Sequence, residues 1–351
     1  MIRLLLAAAT ATVLSLALTK LVIELLVRNK IGQPIRDDGP EGHATKAGTP
    51  TMGGVAIVGG ATFGYVVSDL SGGIYTRSGI FVMLAIIGGG AVGLLDDWIK
   101  VVRERNLGLN KRAKMLGLLI VAVGFSVLMV QFTDVNTHLS FTRWNSIGWD
   151  MGNALWTIWA VLLIVGSANA VNLTDGLDGL AAGSAVFSFA AFVFISFWKF
   201  TPTAEIGTAG EPFYDVNHAL DLAVVAAAML GGCLGFLWWN AAPAQIFMGD
   251  AGSLAIGVGL AALALATNTH LLLPIIGGLF VIETVTVILQ IGRFQLTGKR
   301  FFRMAPIHHH FELGGWHETW VIIRFWMLHG FCVAVGLGLF YADWIAAGGG
   351  T

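Results

Sequence analysis

Gly79-Ile-Phe-Val-Met-Leu-Ala-Ile-Ile-Gly-Gly-Gly-Ala-Val-Gly-Leu-Leu-Asp96-Asp97-Trp98-Ile99-Lys100 is the stretch on which the reading of the chain turns. An unbroken apolar run from Gly79 to Leu95 ends on two adjacent carboxylates, and basic residues follow. The run is of a length to enter a bilayer. A carboxylate pair at its edge is costly unless it is solvated, paired or used. Position alone leaves open whether the pair is a helix end meeting water or one wall of a site.

Outward from this stretch the pattern repeats. Of 351 residues, 56% are hydrophobic and only 12% charged, and the mean hydropathy is +0.77. Soluble domains carry roughly 25% charged residues, so the composition excludes a soluble protein and predicts an all-α polytopic membrane protein, one integral-membrane unit over residues 1–351. The net charge of −1 offers no case for a nucleic-acid partner. Cys233 and Cys332 both fall in apolar runs and read as small buried hydrophobes. Arg3 opens an apolar stretch that continues to Val27 without a small-residue cleavage site, so it reads as a first span rather than a signal peptide.

Ten apolar segments are predicted as transmembrane helices, at about 4–27, 53–70, 79–95, 115–132, 154–171, 179–198, 219–238, 252–269, 271–292 and 319–342. Basic residues orient them. The loops after odd-numbered spans hold Arg28, Lys30, Arg36 and Lys46, then Lys100, Arg103, Arg105, Lys111, Arg112 and Lys114, then Arg293, Lys299, Arg300 and Arg303. The loops after even-numbered spans hold only Arg77, Arg143 and Lys199. The positive-inside rule puts the first set in the cytoplasm and both termini outside.

With that topology the polar clusters share the cytoplasmic face. They are Lys46–Gly54, Asp96-Asp97, Asn169–Gly179, Trp239–Asp250 and Met304–Glu312. Their chemistry is hard oxygen and positive charge. Asp96, Asp97, Asp175, Asp178 and Asp250 suit Mg2+, which takes one or two protein carboxylates and fills its remaining positions with water and phosphate oxygens. Lys46, Lys100, Lys111, Arg112 and Lys114 complement phosphates. Turns at Gly53-Gly54 and Gly176 let backbone amides approach a ligand. Mg2+-dependent phosphoryl-type transfer at the inner membrane surface uses all of these.

Plainer readings stand beside this one. Asp175, Asp178 and Asp250 also suit helix caps, and any one of the lysines can serve topology alone. His308, His309 and His310 lack the spacing and partners of a zinc site, so substrate contact is the better reading. Glu283, in the middle of the ninth segment, either lines the site or pairs within the bundle. An ion-coupled transporter is the reading from another class; it predicts acids at mid-membrane and related halves, whereas here the acids gather at one face.

Gly48-Thr-Pro-Thr-Met-Gly-Gly54, Asp96-Asp97-Trp98, Asn172-Leu-Thr-Asp-Gly-Leu-Asp-Gly179, Phe247-Met-Gly-Asp250 and Met304-Ala-Pro-Ile-His-His-His-Phe-Glu312, in this order, resemble the phospho-N-acetylmuramoyl-pentapeptide transferase family of the polyprenyl-phosphate N-acetylhexosamine-1-phosphate transferase superfamily. The Pro-Ile-His-His-His-Phe-Glu segment favours that family over relatives transferring N-acetylglucosamine phosphate, which are the nearer alternative. Trp98 stands where the family pattern has Tyr or Phe. The resemblance implies transfer of phospho-MurNAc-pentapeptide from UDP-MurNAc-pentapeptide to undecaprenyl phosphate, giving lipid I and UMP. It further implies a Mg2+ requirement, ten helices with a cytoplasmic site, a homodimer, and the bacterial inner membrane.

Roles carry over by position. Asp250 matches the Mg2+-binding aspartate. Asp96 is the candidate to accept the proton of the acceptor phosphate, whose second pKa of about 6 leaves a share protonated near neutrality, and Asp97 supports the metal or the incoming phosphate. Lys46, Lys100 and Lys114 lie near the nucleotide or phosphates. Thr51, Asn172, Asp175, Gly176, Asp178, Asn240 and Phe247 line the donor. His308 and His309 contact it, with His310 holding the loop. Because adjacent helical residues point about 100° apart, Asp96 and Asp97 are expected not to share one small ion.

Overall fold

The computed structural model describes residues 1–29, 48–70, 75–103, 108–200, 214, 216 and 218–346. The chain forms α1 (Ile2–Arg28), α2 (Gly54–Asp69), α3 (Arg77–Val102), α4 (Lys111–Phe132), α5 (Gly152–Thr174) and α6 (Leu180–Phe200). It continues with α7 (Ala219–Asn240), α8 (Gly249–Ala266), α9 (Leu273–Ile276), α10 (Gly278–Thr297), α11 (Ile307–Glu312) and α12 (Glu318–Ala346). Among the described residues nine helices are long and apolar enough to cross a membrane. Helix α2, with 16 residues, rises about 24 Å, short of a hydrocarbon core of about 30 Å. Sheet structure among the described residues is a single bridge between His138 and Asp150.

Helix α8 is the axis of the bundle. All but one of its 18 residues are buried, and it packs against α2, α3 and α5. Its sequence, Gly-Asp-Ala-Gly-Ser-Leu-Ala-Ile-Gly-Val-Gly-Leu-Ala-Ala-Leu-Ala-Leu-Ala, explains why. In lipid, helix association rests on close packing rather than on water expulsion, and small residues let backbones touch. A methyl group built on Gly54 of α2 would lie 1.9 Å from Gly252 N, and one on Gly93 of α3 would lie 2.1 Å from the Asp250 carbonyl. One built on Gly257 would lie 2.4 Å from the Ser167 carbonyl of α5. Each crossing brings the neighbouring helix to the α8 N-terminal half. Beyond them, Trp156, Phe189, Phe192 and Phe236 fill the remaining core, fully buried.

The structure departs from the sequence reading in two places. Helix α3 does not stop at Leu95 but continues to Val102, because Asp96 and Asp97 turn inward, buried, while Trp98 stays exposed. The ninth segment is two helices, α9 and α10, broken at Gly277. In an unbroken helix the Leu279 N–H would bond four residues back. Here it donates instead to His329 Nδ1 of α12 at 3.4 Å, and the other ring nitrogen of His329 lies 2.9 Å from Ser188 Oγ of α6.

Candidate active site

The α3–α8 crossing at Gly93 and Asp250 assembles the site. One turn beyond Gly93, Asp97 Oδ2 accepts a hydrogen bond from Ala251 N at 3.0 Å, in the first turn of α8. It meets free N–H groups and the positive end of the helix dipole there. Gly249, at φ +72°, makes the turn that starts α8, and any side chain on it would strike the Asp97 carboxylate. Asp96, Asp97 and Asp250 thus come together, buried, with ligating oxygens within 4.8 Å of one another.

Lys100 binds the three acids into one cluster. Its Nζ lies 2.7 Å from Asp96 Oδ2, 3.2 Å from Asp97 Oδ1 and 2.8 Å from Asp250 Oδ2. Adjacent helix positions diverge, but a lysine one turn on reaches both. Through it the two aspartates meet one ammonium group. Lys114, from α4, adds a second ammonium 2.8 Å from Asp250 Oδ2. Asn172 of α5 donates to Asp250 Oδ1 at 2.5 Å and to Ser253 Oγ at 2.8 Å. Leu109 N donates to Asp96 Oδ1 at 2.8 Å.

Two loops close the surround. The segment carrying Thr51 pairs with the segment carrying Phe247, through Phe247 N to the Pro50 carbonyl at 2.8 Å and Gly53 N to the Phe247 carbonyl at 3.0 Å. Thr51 is buried beside Gly249. Asp178 Oδ2 accepts from Ala244 N at 2.9 Å, and its own N–H donates to Glu318 Oε1 at 3.1 Å. Asn240 is buried and its amide donates to the Ile246 carbonyl at 2.9 Å, so it shapes the 241–248 loop. Asp175 caps α5. Burial, with the nearby charges of Asp250, Asp97 and Asp178, pushes its carboxyl up to about 8.

The histidine segment is a short helix, α11, lying against the site. His308 is fully buried. Its Nδ1 sits 3.1 Å from Glu283 Oε2 of α10, and its Nε2 faces Gly176, where a methyl would approach to 2.3 Å. Glu283 therefore pairs within the bundle and, through His308, borders the site. His309 Nδ1 lies 2.7 Å from Glu312 Oε2, and His310 Nδ1 accepts from Arg303 N at 3.1 Å, holding the loop. Lys46, together with Lys30, Arg36 and Arg105, lies outside the described residues. Sequence reasoning did not single out Ser253 or Glu318. Ser253, three residues after Asp250, carried a signal in that spacing; Glu318 carried none.

The arrangement has a direction of use. Buried acids and two ammonium groups, at the N-terminus of the central helix, form a pocket wall matched to phosphates and a hard divalent cation. An apolar groove lies between α5, α8, α9 and α10, lined by Leu163, Ser167, Ala170, Val171, Leu260 and Phe280 among others.

The chain is similar to known proteins over nearly its whole length. The family profile described as Glycosyl transferase family 4 matches residues 79–268, and Phospho-N-acetylmuramoyl-pentapeptide-transferase signature 1 matches residues 46–58. The chain is 50% identical to the phospho-N-acetylmuramoyl-pentapeptide-transferase of Streptomyces griseus, over 98% of this chain and 99% of that protein. The Thermobifida fusca protein of the same name is 52% identical, over 97% and 98%. That of Rhodococcus opacus is 49% identical, over 99% of each.

Proposed function

The chain belongs to the phospho-N-acetylmuramoyl-pentapeptide-transferase family and is a multi-pass membrane phosphosugar transferase, and on that premise we propose that it moves phospho-MurNAc-pentapeptide from UDP-MurNAc-pentapeptide to undecaprenyl phosphate, forming lipid I and UMP with Mg2+. The observation that carries the reading is the Asp96–Asp97–Asp250 cluster at the α8 N-terminus, bridged by Lys100. The donor set is all carboxylate oxygen, which fits Mg2+. Bound at Asp250, with Asp97 and Asp96 at hand, Mg2+ would offset charge on the pyrophosphate and on departing UMP.

The protein's own residues do the rest. Asp96, positioned by Lys100 and the Leu109 amide, accepts the proton of the acceptor phosphate. The freed phosphate oxygen forms a bond to the sugar-linked phosphorus as that phosphorus parts from the UMP oxygen. Lys100 and Lys114 face the phosphates and stabilise the charge that develops. Asp97 and Asn172 hold the orientation of Asp250 and the α8 terminus. Asp175, Gly176, Asp178, Phe247, His308 and His309 border the donor; Asn240, His310 and Thr51 shape the loops that do so. The groove between α5 and α10 has the apolar lining for a polyprenyl chain.

In this reading α2 joins the nine long helices as a tenth span, both termini are extracytoplasmic, and the site faces the cytoplasm of a bacterial inner membrane. Arg28, Lys100, Lys111 and Arg293 at the site-side helix ends support that orientation. The protein acts as a homodimer. The test is donor selectivity: purified protein with undecaprenyl phosphate, given UDP-MurNAc-pentapeptide or UDP-N-acetylglucosamine, with and without Mg2+. Turnover only of the first donor, and only with Mg2+, is expected. Turnover of UDP-N-acetylglucosamine alone would overturn the assignment.

A further inference from the structure

Helix α10 leaves the bundle halfway along. Its buried residues all lie between Gly278 and Thr286, and beyond them Ile288, Ile291, Phe294 and Leu296 are exposed, Leu296 to 86%. The chain then turns at Gly298, with φ +67°, and folds back. The Gln290 side chain clamps the returning segment: Oε1 accepts from Phe301 N and Phe302 N, both at 2.9 Å, and Nε2 donates to the Phe302 carbonyl at 3.1 Å. Arg293 lies over the Phe301 ring at 5.1 Å. The result is a folded hairpin standing off the protein.

Its charge is one-sided. Arg293, Lys299, Arg300 and Arg303 are exposed, and no Asp or Glu occurs from 284 to 311. No carboxylate forms a salt bridge with them among the described residues. Basic residues that serve topology alone need no folded surface, whereas this one is clamped by three hydrogen bonds from a single side chain. It combines cations with exposed aromatic and aliphatic groups, the pairing that seats a segment at headgroup level with apolar groups among acyl chains.

We propose that the hairpin tip, residues 293–303, is a docking surface for the phosphate headgroups of anionic lipids in the surrounding bilayer. Phe294, Leu296 and Phe301 enter the acyl region, while Arg293, Lys299 and Arg300 meet the headgroups. Arg303 carries the position of the tip to the histidine helix, through its N–H to His310 and its guanidinium to the Leu313 carbonyl at 2.6 Å. The surface is separate from the acceptor groove and rests only on the chain being a membrane protein.

The full-length protein in phosphatidylcholine vesicles, with trace spin-labelled phosphatidylglycerol or spin-labelled phosphatidylcholine and no substrate, tests this by electron paramagnetic resonance. A several-fold preference for phosphatidylglycerol in the motionally restricted fraction is expected. It should fall to near unity in R293Q/K299Q/R300Q and survive in R293K/K299R/R300K. Excess glycerol 3-phosphate in the buffer should leave it intact, since the surface reads headgroups held in the membrane; loss on that addition would overturn the proposal. So would an unchanged preference in the neutral variant, or no preference in the parent. Equal loss of phosphosugar transfer by the neutral variant in detergent without anionic lipid would overturn it too, by assigning the cations to the donor.

Discussion

Gly93 of α3 lies against the backbone of Asp250 on α8, so closely that a methyl group on Gly93 would stand 2.1 Å from the Asp250 carbonyl oxygen and 2.5 Å from Ala251 N. This contact sets the depth at which Asp96 and Asp97 meet Asp250. Gly93→Ala should part the two helices and weaken both the Asp97–Ala251 bond and the Lys100 bridges. Overpacking of this kind costs about 1–3 kcal/mol, and a misplaced reacting group about a hundredfold in rate. Melting temperature and turnover in the same detergent measure both. Unaltered turnover with a lowered melting temperature would show that the crossing serves stability only.

Asp250→Asn keeps the shape and removes the charge to which Lys100 and Lys114 both point. Turnover should fall by about a hundredfold or more, and added Mg2+ should no longer raise it. Thermal stability should fall as well, since the amide can still meet Asn172 but leaves the Lys100 and Lys114 ammonium groups without the charge they pair with. Retention of a Mg2+ dependence like that of the parent would move the metal to Asp96 and Asp97.

Most of the site was legible because polar residues in so apolar a chain stand out, and because span parity put Asp96, Asn172 and Asp250 on one side. What was not legible follows from the same cause. The end of the apolar run at Leu95 marks a change of surroundings, not of backbone, so the continuation of α3 through the aspartates to Val102 was invisible. The break at Gly277 sits inside Pro274-Ile-Ile-Gly-Gly278, where hydropathy is uniform and the deciding partner, His329, comes from α12. The Glu283–His308 pairing joins residues on separate helices, and residue type alone left both roles for Glu283 open.

Asp175 gives a dependence on pH. Its carboxyl, at about 8 in the folded protein, ionises near 3.8 when unfolded. The folded state therefore holds a proton that the unfolded state has released, and the contribution of this group is intact below about 4. It is lost as pH rises towards 8. Asp175→Asn removes the titration, so its melting temperature should gain on the parent between pH 5 and 8 and run parallel above 9, in buffer containing a chelator. A gain that is equal at every pH would assign the effect to packing.

His329 is the side chain on which the α9–α10 break depends. It is fully buried, accepts from Leu279 N and meets Ser188 Oγ, which in turn donates to the Ile276 carbonyl at 3.3 Å. Those backbone groups have no helical partner at the break, and a buried donor left unpaired costs about 1–3 kcal/mol. His329→Ala should destabilise by that order and let α10 shift, disturbing the groove at Phe280 and Val281 and the His308 contact at Glu283. The effect should fall more on the KM for the lipid acceptor than on kcat. His329→Asn, which keeps an acceptor near Leu279, should recover part of both. A stability loss with acceptor KM unmoved would make His329 a packing residue with no bearing on the groove.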